Sequence, residues 1–269
     1  MSDTVEQGKA YVAKMRERGK TDAEIEQALL AAGWDAAPVA KVLEPPPPAA
    51  ALDLWQAAAQ GDAARVSELL NQGGDANAPG AEGLPLHYAA ANGQLEAAKA
   101  LVGRGARLQA QSPAGKTALH LAAERGEGAM VDLLLSRRCD VDLRNHDAQT
   151  PLHTAALAGH MDVLAKLLEG GADLDAEDSG GQTPLQLACK TGQAEAATYL
   201  IDAGANLEQI DRNGLTLLHT AAKAGTVELC RLLLSRGAEI NQRDNLDRTP
   251  LKLATGEARE FLEGYGAKE

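Results

Sequence analysis

Aromatic residues are nearly missing from this chain of 269 residues: one Phe, two Trp and four Tyr, 3% in all. A core built around stacked rings is excluded. With 45% hydrophobic residues, the interior must be made of Leu, Ala, Val and Ile, and so much Ala and Leu favours helix. Long apolar runs are missing too. No stretch approaches the ~18 residues that a membrane-spanning helix needs. The first residues, Met1-Ser2-Asp3-Thr4-Val5-Glu6, lack a basic stretch followed by an apolar one, so no secretory signal is expected and the cytoplasm is the expected compartment.

Positive charge is in deficit. Twenty-six Lys and Arg face 38 Asp and Glu, a formal net charge of -12. A nucleic-acid binder needs a basic face to displace counterions from phosphates, and an anionic membrane needs one as well, so neither partner is expected. The three cysteines, Cys139, Cys189 and Cys230, are far apart and form no CxxC pair. They read as reduced, buried, small apolar residues. No GxSxG, HExxH, GxxxxGK[ST] or EF-hand loop occurs, so no catalytic residue, cofactor or metal is expected and the chain does not read as an enzyme.

What the chain does have is repetition. Thr117-Ala118-Leu119-His120 returns as Thr150-Pro151-Leu152-His153, Thr183-Pro184-Leu185-Gln186, Thr216-Leu217-Leu218-His219 and Thr249-Pro250-Leu251-Lys252, with Leu84-Pro85-Leu86-His87 one step earlier. Every step is 33 residues. Gly93, Gly126, Gly159, Gly192 and Gly225 keep the same period, as do Leu101, Leu134, Leu167, Leu200 and Leu233. So do the Gly-Ala pairs at 105, 171, 204 and 237.

One unit accounts for each marker. Thr150 suits an N-cap that accepts the backbone N–H of His153, and Pro151 suits the first helical position, where no donor is needed. A first helix over about 151–158 carries Ala155 and Ala156, small enough for neighbouring helices to approach. Gly159 ends it. A second helix over about 162–169 presents Val163, Leu164, Leu167 and Leu168 as an apolar stripe, closed by left-handed Gly171. Such a unit cannot bury that stripe alone and needs its neighbours on both sides.

The 33-residue period with Thr-Pro-Leu-His resembles the ankyrin repeat. The expected fold is therefore all-α, an ankyrin-repeat solenoid over residues 51–269, in units of about 51–81, 82–113, 114–146, 147–179, 180–212, 213–245 and 246–269. The first and last are atypical caps. Trp55 stands in the His slot of the first unit, and the last has a second helix over about 257–263 with Phe261 and Leu262 turned inward. Arg138-Cys139 takes a Gly-Ala slot, so either that helix ends differently or the backbone tolerates about 1 kcal/mol of strain.

The prolines at 45–48 open a stiff linker over 45–50. Residues 1–44 read as a small three-helix module, with helices over about 4–18 and 36–43 flanking one that starts at the capping box Thr21-Asp22-Ala23-Glu24. In the middle helix, Ile25, Ala28, Leu29 and Ala32 share one face. The run from Glu24 to Trp34 resembles small ubiquitin-associated helical modules. Arg18-Gly19-Lys20 stands where ubiquitin binders of that kind carry a Met-Gly-aromatic loop, so ubiquitin binding is not carried over.

His87, His120, His153 and His219 are one repeat step or a multiple of it apart. The ankyrin resemblance implies that each hydrogen-bonds across the turn. It also implies a concave side, made by turn tips and first helices, where partners bind. Mapped onto this chain, the partner-contacting residues are His146, Gln149, Leu157, Gln182, Lys190, Arg212, Asn213, Leu215, Lys223, Leu246 and Arg248. Lys190, Arg212, Lys223 and Arg248 gather over the later units of an acidic chain, with Leu157, Leu215 and Leu246 among them. The expected function is a scaffold that binds a protein partner, and an acidic segment is the class such a strip fits. The alternative is a structural spacer, or an adaptor that self-associates or binds through residues 1–44.

Overall fold

The computed structural model describes residues 49–269 and, before them, residues 11, 12, 14, 15, 20–32, 34, 39 and 43. Two compact units divide the chain, Met1–Pro48 and Ala49–Glu269.

In the smaller unit, α1 spans Asp22–Ala31. Its capping box forms: Thr21 N–H donates to Glu24 Oε2 at 2.9 Å, and Glu24 N–H donates to Thr21 Oγ1 at 3.3 Å. Ile25 and Leu29 are buried with Val12 and Val39, and Met15, Trp34 and Leu43 pack around them. Ala28 and Ala32, expected on the buried face, are exposed. Four aliphatic side chains make a cluster too small to cover a wider stripe. The helices expected over 4–18 and 36–43 lie mostly outside the described residues; within them, residues 11, 12, 14, 15, 39 and 43 are helical.

The larger unit is a row of helix pairs. These are α2 (Ala49–Gln60) with α3 (Ala63–Asn71), α4 (Pro85–Ala91) with α5 (Leu95–Gly103), and α6 (Ala118–Arg125) with α7 (Gly128–Ser136). Then come α8 (Pro151–Ala158) with α9 (Met161–Glu169), α10 (Pro184–Thr191) with α11 (Ala194–Asp202), and α12 (Leu217–Ala224) with α13 (Val227–Ser235). The last pair is α14 (Pro250–Leu253) with α15 (Gly256–Gly264). First helices pack on first helices and second on second, in chain order. Among the described residues there is no strand; one isolated bridge joins Gly80 and Gly83.

Burial follows the repeat. Leu101, Leu134, Leu167, Leu200 and Leu233 are no more than 1% exposed, and the paired small residues from Ala89-Ala90 to Ala221-Ala222 are wholly buried. Cys189 fits one of those small slots and is equally buried.

At the two ends of the stack the helices depart from the regular unit. Helix α2 begins at Ala49, so residues 49 and 50, expected in the linker, are helical; three alanines and Leu52 favour helix there. Helix α14 keeps only one turn, because Ala254 leaves helical geometry at ψ 139°. Helix α15 runs one residue further at each end than expected; it buries Leu262 and leaves Phe261 half-buried under the Arg231 guanidinium, 5.0 Å above the ring.

Arg138 resolves the question of its slot. It adopts the left-handed conformation, φ 58°, so the strain is tolerated. A Cβ built at the equivalent Gly105, Gly171, Gly204 or Gly237 meets nothing within 4 Å, so the side chain has room and only the backbone cost remains.

Candidate functional site

The turn tips are built by one side chain per unit. The Oδ1 of Asn145 accepts the N–H groups of Asp147 and Gln149, both at 2.9 Å. Asp178 holds Gly180 and Gln182 in the same way, Asp211 holds Asn213 and Leu215, and Asp244 holds Leu246 and Arg248. These positions are 33 residues apart, and Ser112 occupies the equivalent place one unit earlier. The tip also needs a left-handed residue. Gly115, Gly181 and Gly214 supply it without cost, whereas Ala148 and Asp247 adopt φ 58° and 59° as non-glycine residues. Asp178 is thus a turn builder.

Each tip is tied to the first helix of the preceding unit by a buried ring. His87 Nε2–H donates to the Ala110 carbonyl at 2.9 Å, His120 to Gln149 at 2.8 Å, His153 to Gln182 at 3.0 Å and His219 to Arg248 at 2.9 Å. On the other side of each ring, Nδ1 accepts a backbone N–H, from Leu84, Thr117, Thr150 or Thr216. A carbonyl can only accept and an N–H can only donate, so this layout selects the neutral ring protonated at Nε2. Gln186 makes a like pair of bonds with no titratable group, though to a carbonyl 23 residues on rather than the 29 of His120, His153 and His219: Oε1 accepts Thr183 N–H at 2.9 Å and Nε2 donates to the Gln209 carbonyl at 3.3 Å. Trp55 keeps half of it, donating from Nε1 to the Ala78 carbonyl at 2.9 Å. Burial pushes all four histidine pKa values below the ordinary 6.5.

The cysteines are poor nucleophiles. Burial pushes Cys189 up to about 12 and both Cys139 and Cys230 up to about 11, so thiolate is scarce near neutrality. Among the described residues no group of three His, Cys, Asp or Glu side chains could hold a metal ion.

The expected contact residues divide into those the fold gathers and those it does not. Gln182, Lys190, Asn213, Leu215 and Lys223 line one groove of about 340 Å³, together with Gly180, Asp211, Thr220 and Ala224. Lys190 and Lys223 stand at the same place on α10 and α12, near the helix C-termini, and both are exposed. Lys190 Nζ donates to Gln182 Oε1 at 3.0 Å, and no ion pair of Lys223 is formed among the described residues. Leu157 occupies that place on α8 and is 43% exposed. Thr191 Oγ1–H donates within α10 to the Leu187 carbonyl at 2.9 Å, and its oxygen lies 3.3 Å from the Leu157 carbonyl, so the α8 end sits against the α10 end.

The other expected residues lie outside the groove. His146 and Gln149 belong to the tip of an earlier unit, and Arg212 and Leu246 are exposed on tips. Arg248 is committed to its own turn: its Nε and Nη2 reach Asp244 Oδ2 at 2.8 and 2.7 Å. Burial raises the Asp244 pKa, but the hydrogen bonds from Arg248 and Leu246 outweigh it and hold the carboxyl below its usual range. Two groove residues escaped the sequence reading. Thr220 lies three residues before Lys223, hence on the same helical face, and Asp211 belongs to the 33-residue series of turn builders. A second groove of about 500 Å³, lined by Ala91, Leu121, Glu124, Arg125 and His160, lies along the earlier units; there Glu124 is neutralised by Lys116 at 2.7 Å.

A single-file stack of helix pairs, with side-chain-built turns projecting from one edge, defines the class: a helical repeat solenoid. A family model described as ankyrin repeats (3 copies) matches residues 54–145, 128–211 and 203–264, and the chain belongs to that family. It is similar to the solved ankyrin repeat domain of human ASB11, with 28% identity and a TM-score of 0.74, over 80% of this chain and 98% of that one. It is likewise similar to the ankyrin repeat domain of Bcl-3, titled a unique member of the IkappaB protein family. That likeness has 30% identity and a TM-score of 0.68, over 79% of this chain and 98% of that one. A search of curated proteins finds no match. The stack is, in kind, a protein-interaction module. Among the described residues no helix is long and apolar enough to cross a membrane.

Proposed function

We propose that this protein is a non-enzymatic scaffold that captures a partner protein on the face made by the turn tips and first helices of its later units. The observation that carries this reading is the groove between the tips at 180–182 and 211–215 and the ends of α10 and α12. It holds two exposed lysines, a half-buried leucine and two amide side chains. Nothing in the stacking requires that combination there, since Lys190 and Lys223 point away from the buried small pairs beside them. The one carboxylate in the groove, Asp211, has both oxygens engaged within its own turn. The groove is thus locally basic on an acidic molecule, which suits an acidic partner segment and repels a basic one. Every repeat-slot histidine is consumed by the architecture, and burial pushes every thiol toward protonation.

The test is site-directed photocrosslinking in cells. A photoreactive phenylalanine analogue replaces Asn213 or Leu157 in one set of variants, and Glu195 or Lys99 on second helices in another. The reading expects one defined protein adduct from the first set and none from the second. Adducts confined to the second helices, or to a probe in residues 20–32, would refute it, the latter favouring an adaptor that binds through its N-terminal module.

A further inference from the structure

The residues that equivalent positions place along the first-helix ends change character in order: Ala91, Glu124, Leu157, Lys190, Lys223. Glu124 is neutralised by Lys116. Past it the row reads one exposed aliphatic side chain and then two cations. Bonds between units hold this row in register. His160 Nε2–H donates to the Glu124 carbonyl at 3.1 Å and Thr255 Oγ1–H to that of Lys223 at 3.1 Å, while Thr191 Oγ1, bonded to the Leu187 carbonyl, lies 3.3 Å from that of Leu157. The row is therefore a ruler. Packed helices lie about 8–10 Å apart, and an extended peptide advances about 3.3 Å per residue, so one unit of the ruler corresponds to about three residues of extended chain.

We propose that the occupant of the groove is an extended acidic peptide with an aliphatic residue and two carboxylates at three-residue intervals, in the order aliphatic, acid, acid. The aliphatic side chain covers Leu157, and the carboxylates meet Lys190 and Lys223. The amide side chains of Gln182 and Asn213, and Leu215 between them, line the groove beneath the peptide backbone. This rests on the proposed function and adds to it the sequence pattern of the partner. A helical partner would place residues three apart only about 4.5 Å along its axis, half the step of the ruler.

The probe is a fluorescent, end-blocked peptide with Leu, then Glu three and six residues later, on a Ser/Gly background, titrated into the full chain and read by anisotropy. It is made in both chain directions, because the order on the ruler does not fix which end is amino-terminal. A peptide of the same composition with the order acid, aliphatic, acid is the control, and K190E/K223E is the variant. Both substituted positions are exposed, and an unchanged urea midpoint verifies the fold.

We expect saturable binding in one direction, about tenfold weaker for the reordered peptide and for K190E/K223E, and recovered by that variant when the two Glu of the peptide become Lys. Equal binding of ordered and reordered peptides, with the lysine dependence kept, overturns the ruler but leaves the groove as the binding face. Binding indifferent to K190E/K223E overturns both, and no binding in either direction overturns the ruler.

Discussion

Ala148 and Arg138 hold left-handed backbone where neighbouring units use glycine. A148G and R138G should each raise stability by up to about 1 kcal/mol, seen as a higher urea midpoint with an unchanged slope. No gain at either site would mean that contacts of the side chain offset the strain. The four ladder histidines make a prediction about acid. Their folded pKa values lie below the unfolded 6.5, so the unfolded chain binds more protons at mildly acidic pH. Their stabilising contribution is complete above about pH 6.5 and is lost as pH falls through the folded values. H153Q should keep the midpoint at pH 7.5, because Gln186 already does the same work in the next unit, and should lose less stability than the parent at pH 5.5. H153A should be destabilised at both pH values. A steeper acid response in H153Q than in the parent would contradict the neutral-ring assignment. The histidine roles were legible because a periodic residue cannot be a lone catalytic group. The turn builders were less so: Asn145, Asp178, Asp211 and Asp244 are one amide and three acids, and their common job is plain only once the turn is folded.

At the scale of the helix, the central expectation concerns shared burial. Leu167 is fully buried on α9, which packs on α7 and α11 as well as on α8. L167A should cost about 2–5 kcal/mol, and hydrogen exchange should show lost protection in α7 and α11 as well as in α9. Loss confined to α9 would mean that units stand alone. The first helix of the stack offers a smaller test. W55F keeps the ring stacked against Tyr88 but removes the bond to the Ala78 carbonyl, and should cost about 1 kcal/mol. Helix existence was readable from Thr, Pro and Gly at fixed offsets, and the expected threonine cap forms at Thr117, Thr183, Thr216 and Thr249 but not at Thr150, whose hydroxyl bonds the His153 ring instead. The start of α2 at Ala49 was not, because a polyproline run followed by alanines has no cap to mark the change. Nor was the exposure of Ala28 and Ala32, which depends on how little surface the small module has to cover it.

Over the whole molecule, the repeat gave the architecture in advance, since a unit with an uncovered stripe has to stack. The proposed binding face was legible only in part. The period places Leu157, Lys190 and Lys223 in one row, and the structure brings Gln182, Asn213 and Leu215 into a groove with the two lysines. It also removes Arg248 from the set of free cations, because pairing with Asp244 depends on a carboxylate four residues earlier being turned inward, which spacing alone does not reveal. The account as a whole holds that recognition lies on this row and not elsewhere on the chain. Hydrogen exchange of the full chain, with and without saturating Leu/Glu peptide, tests that most directly. Slower exchange should be confined to the end of α8 at 157–159 and to residues 178–192 and 211–224, leaving the second helices and α1 unchanged. Slowing centred on α9, α11 or α13, or on residues 20–32, would contradict it.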